Sequence, residues 1–148
     1  MSQELGNLLS GGRPPGVYRL PARTDPATVA AQAEKTGWQF FRLNGRDLAS
    51  TSDFLRASAE TFGLPGYFGN NWDALEESLR DLAWAPAEHG YLVLVEDAGH
   101  FASAAPDDFR IALDILRSAA DYWRGTPTPM AILLQGAGHS AREVPRLG

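Results

Sequence analysis

Three carboxylates follow one another at intervals of four residues, at Asp73, Glu77 and Asp81. Side chains four positions apart lie on one side of an α-helix, so the spacing predicts a helix with an acidic face. Paired carboxylates serve some enzymes as general acid and base, but that chemistry requires a substrate cleft and a raised pKa, and one exposed helix face supplies neither. We therefore expect this face to bind a basic partner, and we do not expect an enzyme.

The helix that carries these carboxylates is predicted from residue 70 to about residue 83. At about 100° per residue, its apolar side consists of Trp72, Leu75, Leu79, Leu82 and Ala83. The opposite side carries Asp73, Glu77, Arg80 and Asp81, with Trp84 just beyond it and Glu76 between the two sides. Asp73 falls in the first turn, where free N–H groups and the helix dipole favour a carboxylate. Before and at the helix entry, Tyr67 and Asn71 add an amphipathic ring and an amide.

Composition excludes several kinds of protein. The 148 residues suit one domain, and the absence of cysteine excludes disulfides, thiolate zinc sites and a cysteine nucleophile. A net charge of −5 disfavours direct contact with nucleic acid, which needs clustered lysine and arginine. The sequence shows neither a signal-peptide pattern nor an apolar run long enough to span a membrane, so we expect a cytoplasmic protein without a membrane partner.

No motif predicts a cofactor or a metal ion. His89, His100 and His139 are dispersed without the spacing of metal ligands. The sequence Gly136-x-Gly138-x-x-Ala141 resembles a dinucleotide-binding loop, but too few residues follow it for the helix and strand that this motif requires. We therefore expect neither a bound cofactor nor a metal.

Alternating strands and helices predict an α/β fold with a small, mainly parallel sheet of about four strands packed with helices. The predicted strands are residues 17–20, 38–43, 91–95 and 130–134. Further helices are predicted at 26–35 behind Asp25, at 51–62 behind Ser50, and at 106–123. Residues 16–135 form the expected domain, between a flexible leader at 1–15, where Gly and Pro cluster, and a flexible tail at 136–148.

Residues 64–75 read Leu-Pro-Gly-Tyr-Phe-Gly-Asn-Asn-Trp-Asp-Ala-Leu, and the helical pattern continues to Leu79. This run, with its Tyr-aromatic-Gly step, an Asn and an Asp-Ala-Leu at fixed spacing, resembles the signature segment of the barstar family, the inhibitors of barnase-type ribonucleases. The resemblance extends from Trp38 through Asn44-Gly45 and more loosely to Leu134, roughly two thirds of the chain. It implies a barstar-like core at 38–135. Residues 16–37 are then an extra N-terminal β-α unit of structural role that extends the sheet at one edge.

The resemblance implies inhibition by occlusion, in which the acidic helix and the loop before it block the nuclease active site and carboxylates mimic substrate phosphates. By position, Tyr67, Asn71 and Asp73 match family contact residues, and Glu77 falls where the family has an aspartate. The predicted contact surface consists of Tyr67, Asn71, Asp73, Glu77, Asp81 and Trp84. The chain departs from the pattern at Glu76, where an aromatic residue occurs in the family, and near Ser118, where the family has a second acidic contact.

We therefore expect a proteinaceous inhibitor, an antitoxin or immunity protein, that is a monomer when free. Its expected partner is a basic ribonuclease of barnase type or a related toxin nuclease. A ribonuclease site is lined with lysine, arginine and histidine, so complementary potential steers an acidic helix toward it. The alternative is a binding module of the same fold with a repurposed, non-nuclease basic partner, which the departures at Glu76, Glu77 and Ser118 favour.

Overall fold

The computed structural model describes residues 2–64, 71–83 and 85–147. Within these residues the strands are β1 (Val17–Leu20), β2 (Trp38–Asn44), β3 (Gly90–Glu96) and β4 (Met130–Gln135). The α-helices are α1 (Ser2–Ser10), α2 (Pro26–Lys35), α3 (Thr51–Phe62), α4 (Trp72–Leu79), α5 (Ala98–Ala104) and α6 (Pro106–Trp123), and short 3₁₀ helices span Gly45–Asp47 and Gly138–Ala141. Strands and helices alternate along the chain, which confirms the predicted α/β class.

The four strands form a parallel sheet in the order β1-β4-β3-β2. Val17 pairs with Ile132, and Tyr91 pairs with Met130. The central strands β3 and β4 are buried along their whole length, as expected for parallel strands with helices on both faces. β1 lies at the edge of the sheet beside β4.

Helices cover both faces of the sheet, and successive side chains of a strand join different apolar clusters. Val93 and Val95 of β3 belong to the front cluster, which includes the buried residues of α3, α4, α5 and α6. Leu92 and Leu94 belong to the back cluster, which includes those of α1 and α2. This alternation follows from the two-residue period of a strand, and it places α4 on the front face.

Capping residues fix the points at which two helices begin. The Asp25 carboxylate accepts a hydrogen bond from the Ala27 N–H at 3.0 Å, and Pro26 occupies the first turn of α2. The Ser50 hydroxyl accepts one from the Asp53 N–H at 3.1 Å at the start of α3. Each cap satisfies an N–H group that has no partner inside its helix, as the sequence predicted.

Residues 2–10 contradict the prediction of a flexible leader at 1–15. They form α1, whose Leu5, Leu8 and Leu9 are buried in the back cluster. The Trp38 Nε1–H donates to the Leu9 carbonyl at 3.1 Å, so a polar contact also docks the helix. The three leucines recur at intervals of three and one, which gives the helix an apolar stripe that covers the back of the sheet.

The prediction of a flexible tail at 136–148 is wrong for the part of the tail that the structure describes. Val144 and Leu147 are buried. Arg13 donates from Nη1 to the Leu147 carbonyl at 2.6 Å, and Arg146 forms a parallel β-bridge with Arg19. The tail is ordered because it pairs with the outer edge of β1, which would otherwise present unpaired N–H and C=O groups.

Candidate partner-binding surface

Helix α4 is held by a cap at its N-terminus and by two leucines along its inner side. The Asn71 Oδ1 accepts a hydrogen bond from the Ala74 N–H at 2.8 Å, which satisfies one of the free donors of the first turn. Leu75 and Leu79 are fully buried in the front cluster. The inner side of the helix is therefore fixed, and its other side is left for solvent or a partner.

Two tryptophans attach α4 to neighbouring helices. Trp72 is half-buried, and its ring centroid lies 5.6 Å from that of Phe54 in α3. Trp123, at the end of α6, donates its Nε1–H to the Leu79 carbonyl at 2.7 Å. A helix of eight residues is too short to be stable alone, so these contacts at its two ends determine its orientation. Both tryptophans pack against the front cluster, as their predicted core role requires.

The helix is shorter than predicted, because it ends at Leu79 and does not continue to residue 83. In the following turn Leu82 adopts a φ of +48° and is fully buried. This conformation is unfavourable for residues other than glycine, but burying a leucine contributes about 1.5–3 kcal/mol and offsets that cost. Ala83 is consequently exposed and does not face the core as predicted.

The outer side of α4 is acidic, as predicted. Asp73, Glu77 and Asp81 are exposed, and none of them forms an ion pair within the described part of the chain. Asp73 and Glu77 are one turn apart, which in helical geometry separates their Cβ atoms by about 5–6 Å. Asp81 follows in the turn after the helix. These three residues, termed the acidic surface, create a negative potential that suits a basic partner.

Glu76 differs from these three acids because its charge is neutralised by Arg80, one turn further along the chain. Its carboxylate forms an ion pair with the Arg80 guanidinium at 2.5 Å and accepts a hydrogen bond from the Ser118 hydroxyl at 3.3 Å. The Arg80 Nη2 also donates to the Ser118 hydroxyl at 3.4 Å. Glu76 and Ser118, two positions at which the chain departs from the barstar pattern, therefore meet in one network between α4 and α6.

The predicted contact residues are only partly within the described residues. Asn71, Asp73 and Glu77 share α4 or its cap, and Asp81 lies close by in sequence. Tyr67 and Trp84 lie outside the described residues. The sequence did not identify Trp123 as an anchor of α4, because its hydrogen bond to Leu79 joins residues 44 positions apart.

A metal-binding cluster and a membrane-spanning helix are both absent from the part of the chain that the structure describes. It contains no group of three His, Cys, Asp or Glu side chains placed to hold a metal ion. None of its helices has both the length and the apolar character needed to cross a membrane. A hydrogen bond to Glu96 raises the pKa of Arg42, and burial raises the pKa of Tyr91. Both groups belong to the sheet, where Arg42 and Glu96 form an ion pair between β2 and β3.

These features define an α/β protein with an exposed acidic helix that is fixed at both ends. Residues 38–135 match the family model Barstar (barnase inhibitor), from the first residue of β2 to the last residue of β4. This match covers about two thirds of the chain, and the chain belongs to the barstar family. No curated protein matches it. Membership identifies a protein-binding module of the barnase-inhibitor kind, while α1, β1, α2 and residues 136–147 lie outside the matched region.

Proposed function

We propose that the chain is an inhibitor of a small ribonuclease and acts as its antitoxin or immunity protein. The observation that carries this proposal is the acidic surface, whose carboxylates are exposed and form no ion pair within the described residues. A ribonuclease site holds phosphates with cationic side chains, so its potential is complementary to this surface. The family description, barnase inhibitor, supports the same class of partner.

In the proposed complex, α4 and the loop before it occupy the nuclease active site. The carboxylates of Asp73 and Glu77 take the positions of substrate phosphates, and Asn71 and Asp81 contact the rim. Tyr67 and Trp84 complete the proposed contact surface. Because packing already orients α4 in the free protein, binding costs little conformational entropy there. Occlusion of the site requires no catalysis and no cofactor from the inhibitor.

The proposed partner is a basic ribonuclease of barnase type or a related toxin nuclease, which the free, monomeric inhibitor meets in the cytoplasm. Opposite charge on the two surfaces accelerates their encounter, and dissolved salt screens that attraction. The association rate is therefore expected to fall as the salt concentration rises. An association rate that does not depend on salt would contradict electrostatic steering.

The decisive experiment is a titration of small microbial ribonucleases, including barnase, in an RNA-cleavage assay. The test variant combines Asp73→Asn with Glu77→Gln. Its control combines Glu34→Gln with Glu88→Gln, two exposed acids outside α4. Both variants lose two negative charges, from −5 to −3, so they differ in the site of the change and not in net charge.

Wild-type protein is expected to inhibit at least one nuclease of the panel stoichiometrically. Loss of two charged hydrogen-bonding groups is expected to weaken inhibition about a hundredfold, whereas the control changes it by less than about threefold. Equal inhibition by the two variants would refute the assignment of the surface. Failure of the wild-type protein to inhibit any nuclease of a broad panel would refute the function.

The network of Glu76, Arg80 and Ser118 favours a second candidate, a module of the same fold with a repurposed, non-nuclease basic partner, because Glu76 and Ser118 are two of the positions at which the chain departs from the barstar pattern. The Arg80 side chain is 42% exposed beside the acidic surface, and it would face the cations of a nuclease site with a charge of the same sign. If the partner is a nuclease, Arg80→Gln is expected to strengthen inhibition. If a pull-down recovers only basic proteins that lack ribonuclease activity, the second candidate replaces the first.

A further inference from the structure

A cleft opens at the carboxyl ends of β1 and β4. Its volume is about 850 Å³, within the range of small-molecule sites. Residues 19–25, which are the end of β1 and the loop that leads to α2, form one wall, and residues 136–138, directly after β4, form another. Crevices outside the carboxyl ends of parallel strands are common ligand sites in α/β proteins. All of its described lining residues lie outside the matched region 38–135, so the cleft is separate from the barstar-like surface.

Three arginines line this cleft, namely Arg19, Arg23 and Arg146. Within the described residues none of them forms an ion pair with a carboxylate, whereas seven other arginines do. Arg19 and Arg146 are paired in a parallel β-bridge. Like charges at paired strand positions repel each other. An oxyanion between the guanidinium groups would remove this repulsion and accept their hydrogen bonds.

Hydrogen bonds from Gln135 and Gly136 fix the walls of the cleft. The Gln135 amide donates to the Ala22 carbonyl at 3.1 Å and to the Thr24 carbonyl at 2.5 Å. Gly136 has a φ of +67°, which favours glycine, and its N–H donates to the Leu20 carbonyl at 3.0 Å. The loops that carry the cleft are thus ordered before any ligand binds, which reduces the entropic cost of binding.

The charge balance of the cleft also favours an anion. Glu4 and Asp25 line it together with the three arginines. The Asp25 carboxylate already accepts the capping hydrogen bond from the Ala27 N–H. Three cations against two carboxylates leave one positive charge, in a chain whose net charge is −5. The local potential therefore differs in sign from that of the acidic surface.

We propose that this cleft binds a small phosphorylated molecule through the guanidinium groups of Arg19, Arg23 and Arg146. The tetrahedral phosphate group presents oxygens to several guanidinium donors at once. Arg19 is oriented for this role by its Nε–H, which donates to the Val144 carbonyl at 2.6 Å. Among the described lining residues there is no aromatic ring, so recognition depends on the phosphate group and not on stacking of a base.

Calorimetric titration of the full chain with inorganic pyrophosphate at low salt tests this proposal. The test variant combines Arg23→Gln with Arg146→Gln, because both side chains are exposed and Arg19 also holds the tail. The control combines Lys35→Gln with Arg142→Gln, two exposed cations that do not line the cleft. Both variants change the net charge by two units, from −5 to −7. Citrate serves as a second probe, because it is multiply charged but carries no phosphate.

The wild-type protein is expected to bind one pyrophosphate saturably and more tightly than citrate. The test variant is expected to bind pyrophosphate about a hundredfold more weakly, and the control within about threefold of wild type. Absence of saturable pyrophosphate binding, or equal losses in the two variants, would overturn the site. Citrate binding as tight as that of pyrophosphate would overturn the assignment to phosphorylated ligands.

Discussion

Replacement of Asn71 by alanine tests whether the cap keeps helix α4 in place. The Asn71 Oδ1 accepts the Ala74 N–H at 2.8 Å, and the Asn71 carbonyl accepts the Leu75 N–H at 3.0 Å. Alanine removes the first bond and keeps the second. Since α4 has only eight residues, a single cap is a large part of its local hydrogen bonding.

The expected cost of Asn71→Ala is about 1 kcal/mol, the usual value for loss of an N-cap side chain. That value corresponds to about a fivefold change in an equilibrium constant. Asn71→Asp keeps a carboxyl oxygen at the cap and adds a negative charge at the helix N-terminus, so its stability is expected to equal or exceed that of wild type. Ser50→Ala removes the corresponding cap of α3 and is expected to cost a similar amount.

Two measurements separate a local effect on α4 from a global one. Urea unfolding followed by tryptophan fluorescence reports the free energy of unfolding of the whole chain. Native-state hydrogen exchange reports the opening of individual amides. In Asn71→Ala the Ala74 and Leu75 amides are expected to exchange about fivefold faster than in wild type. In Ser50→Ala the same two amides are expected to respond only through global stability.

The reasoning fails if Asn71→Ala leaves both the unfolding free energy and the Ala74 exchange rate unchanged. It also fails if Asn71→Asp is as destabilised as Asn71→Ala, because an aspartate retains the capping oxygen. Ribonuclease inhibition by the wild-type protein, Asn71→Ala and Asn71→Asp then separates the positioning of α4 from a direct contact between Asn71 and the partner. A loss of inhibition shared by both Asn71 variants assigns a direct contact to the amide, whereas a loss confined to alanine assigns its effect to the order of α4.

Leu8→Ala is expected to cost about 2–5 kcal/mol in urea unfolding, because Leu8 is 1% exposed, whereas Asn7→Ala on the exposed side of α1 is expected to be nearly silent; equal effects would contradict the docking of α1. A hydrogen bond from its own main-chain N–H, and then one from Arg110, lowers the pKa of Glu143 below the usual value for a glutamate. Glu143 therefore stabilises the fold at neutral pH, and that contribution disappears as the pH falls through the lowered pKa. Glu143→Gln is expected to cost less than about 1 kcal/mol at pH 7, because the pair with Arg110 is solvent-exposed, and nothing at acidic pH; a difference that grew with acidity would contradict this sign.

The elements that the sequence predicts best are those whose pattern is set by local chemistry. β3 reads as a continuous apolar run because both of its faces are buried. The repeat of α6 is predicted because one side of a long helix must face the sheet. α1 was missed since glycine and proline follow it, although Leu5, Leu8 and Leu9 already carried the helical signal.

α5 could not be predicted from local pattern. Asp97, the residue before α5, has a φ of +47° and its side chain does not cap the helix. The sequence of α5 is mostly alanine and glycine. Its position depends on Phe101, whose ring lies 5.6 Å from the rings of both Phe54 and Phe109. Those two partners come from α3 and α6, so the stabilising contact exists only in the folded chain.

The acidic surface could be predicted from the sequence, whereas the contacts that neutralise Glu76 could not. Asp73 and Glu77 are one helical turn apart, so their common side follows from spacing alone. Neutralisation of Glu76 depends on Ser118, which is 42 residues away, and no periodicity links the two positions. Sequence therefore predicts which charges share a side, whereas tertiary contacts decide which of them are available to a partner.

The separation of the acidic surface from the cleft follows from the two faces of the sheet. The back of the sheet carries Leu92, Leu94 and Leu133, and these leucines are buried under α1 and α2, which lie outside the matched region. The same added segments, with the tail, build the cleft. α4 is held by front-face contacts to α3 and α6, which involve none of these segments. Changes at Arg23 and Arg146 are therefore expected to leave ribonuclease inhibition unaltered, because sites that share no contacts contribute additively.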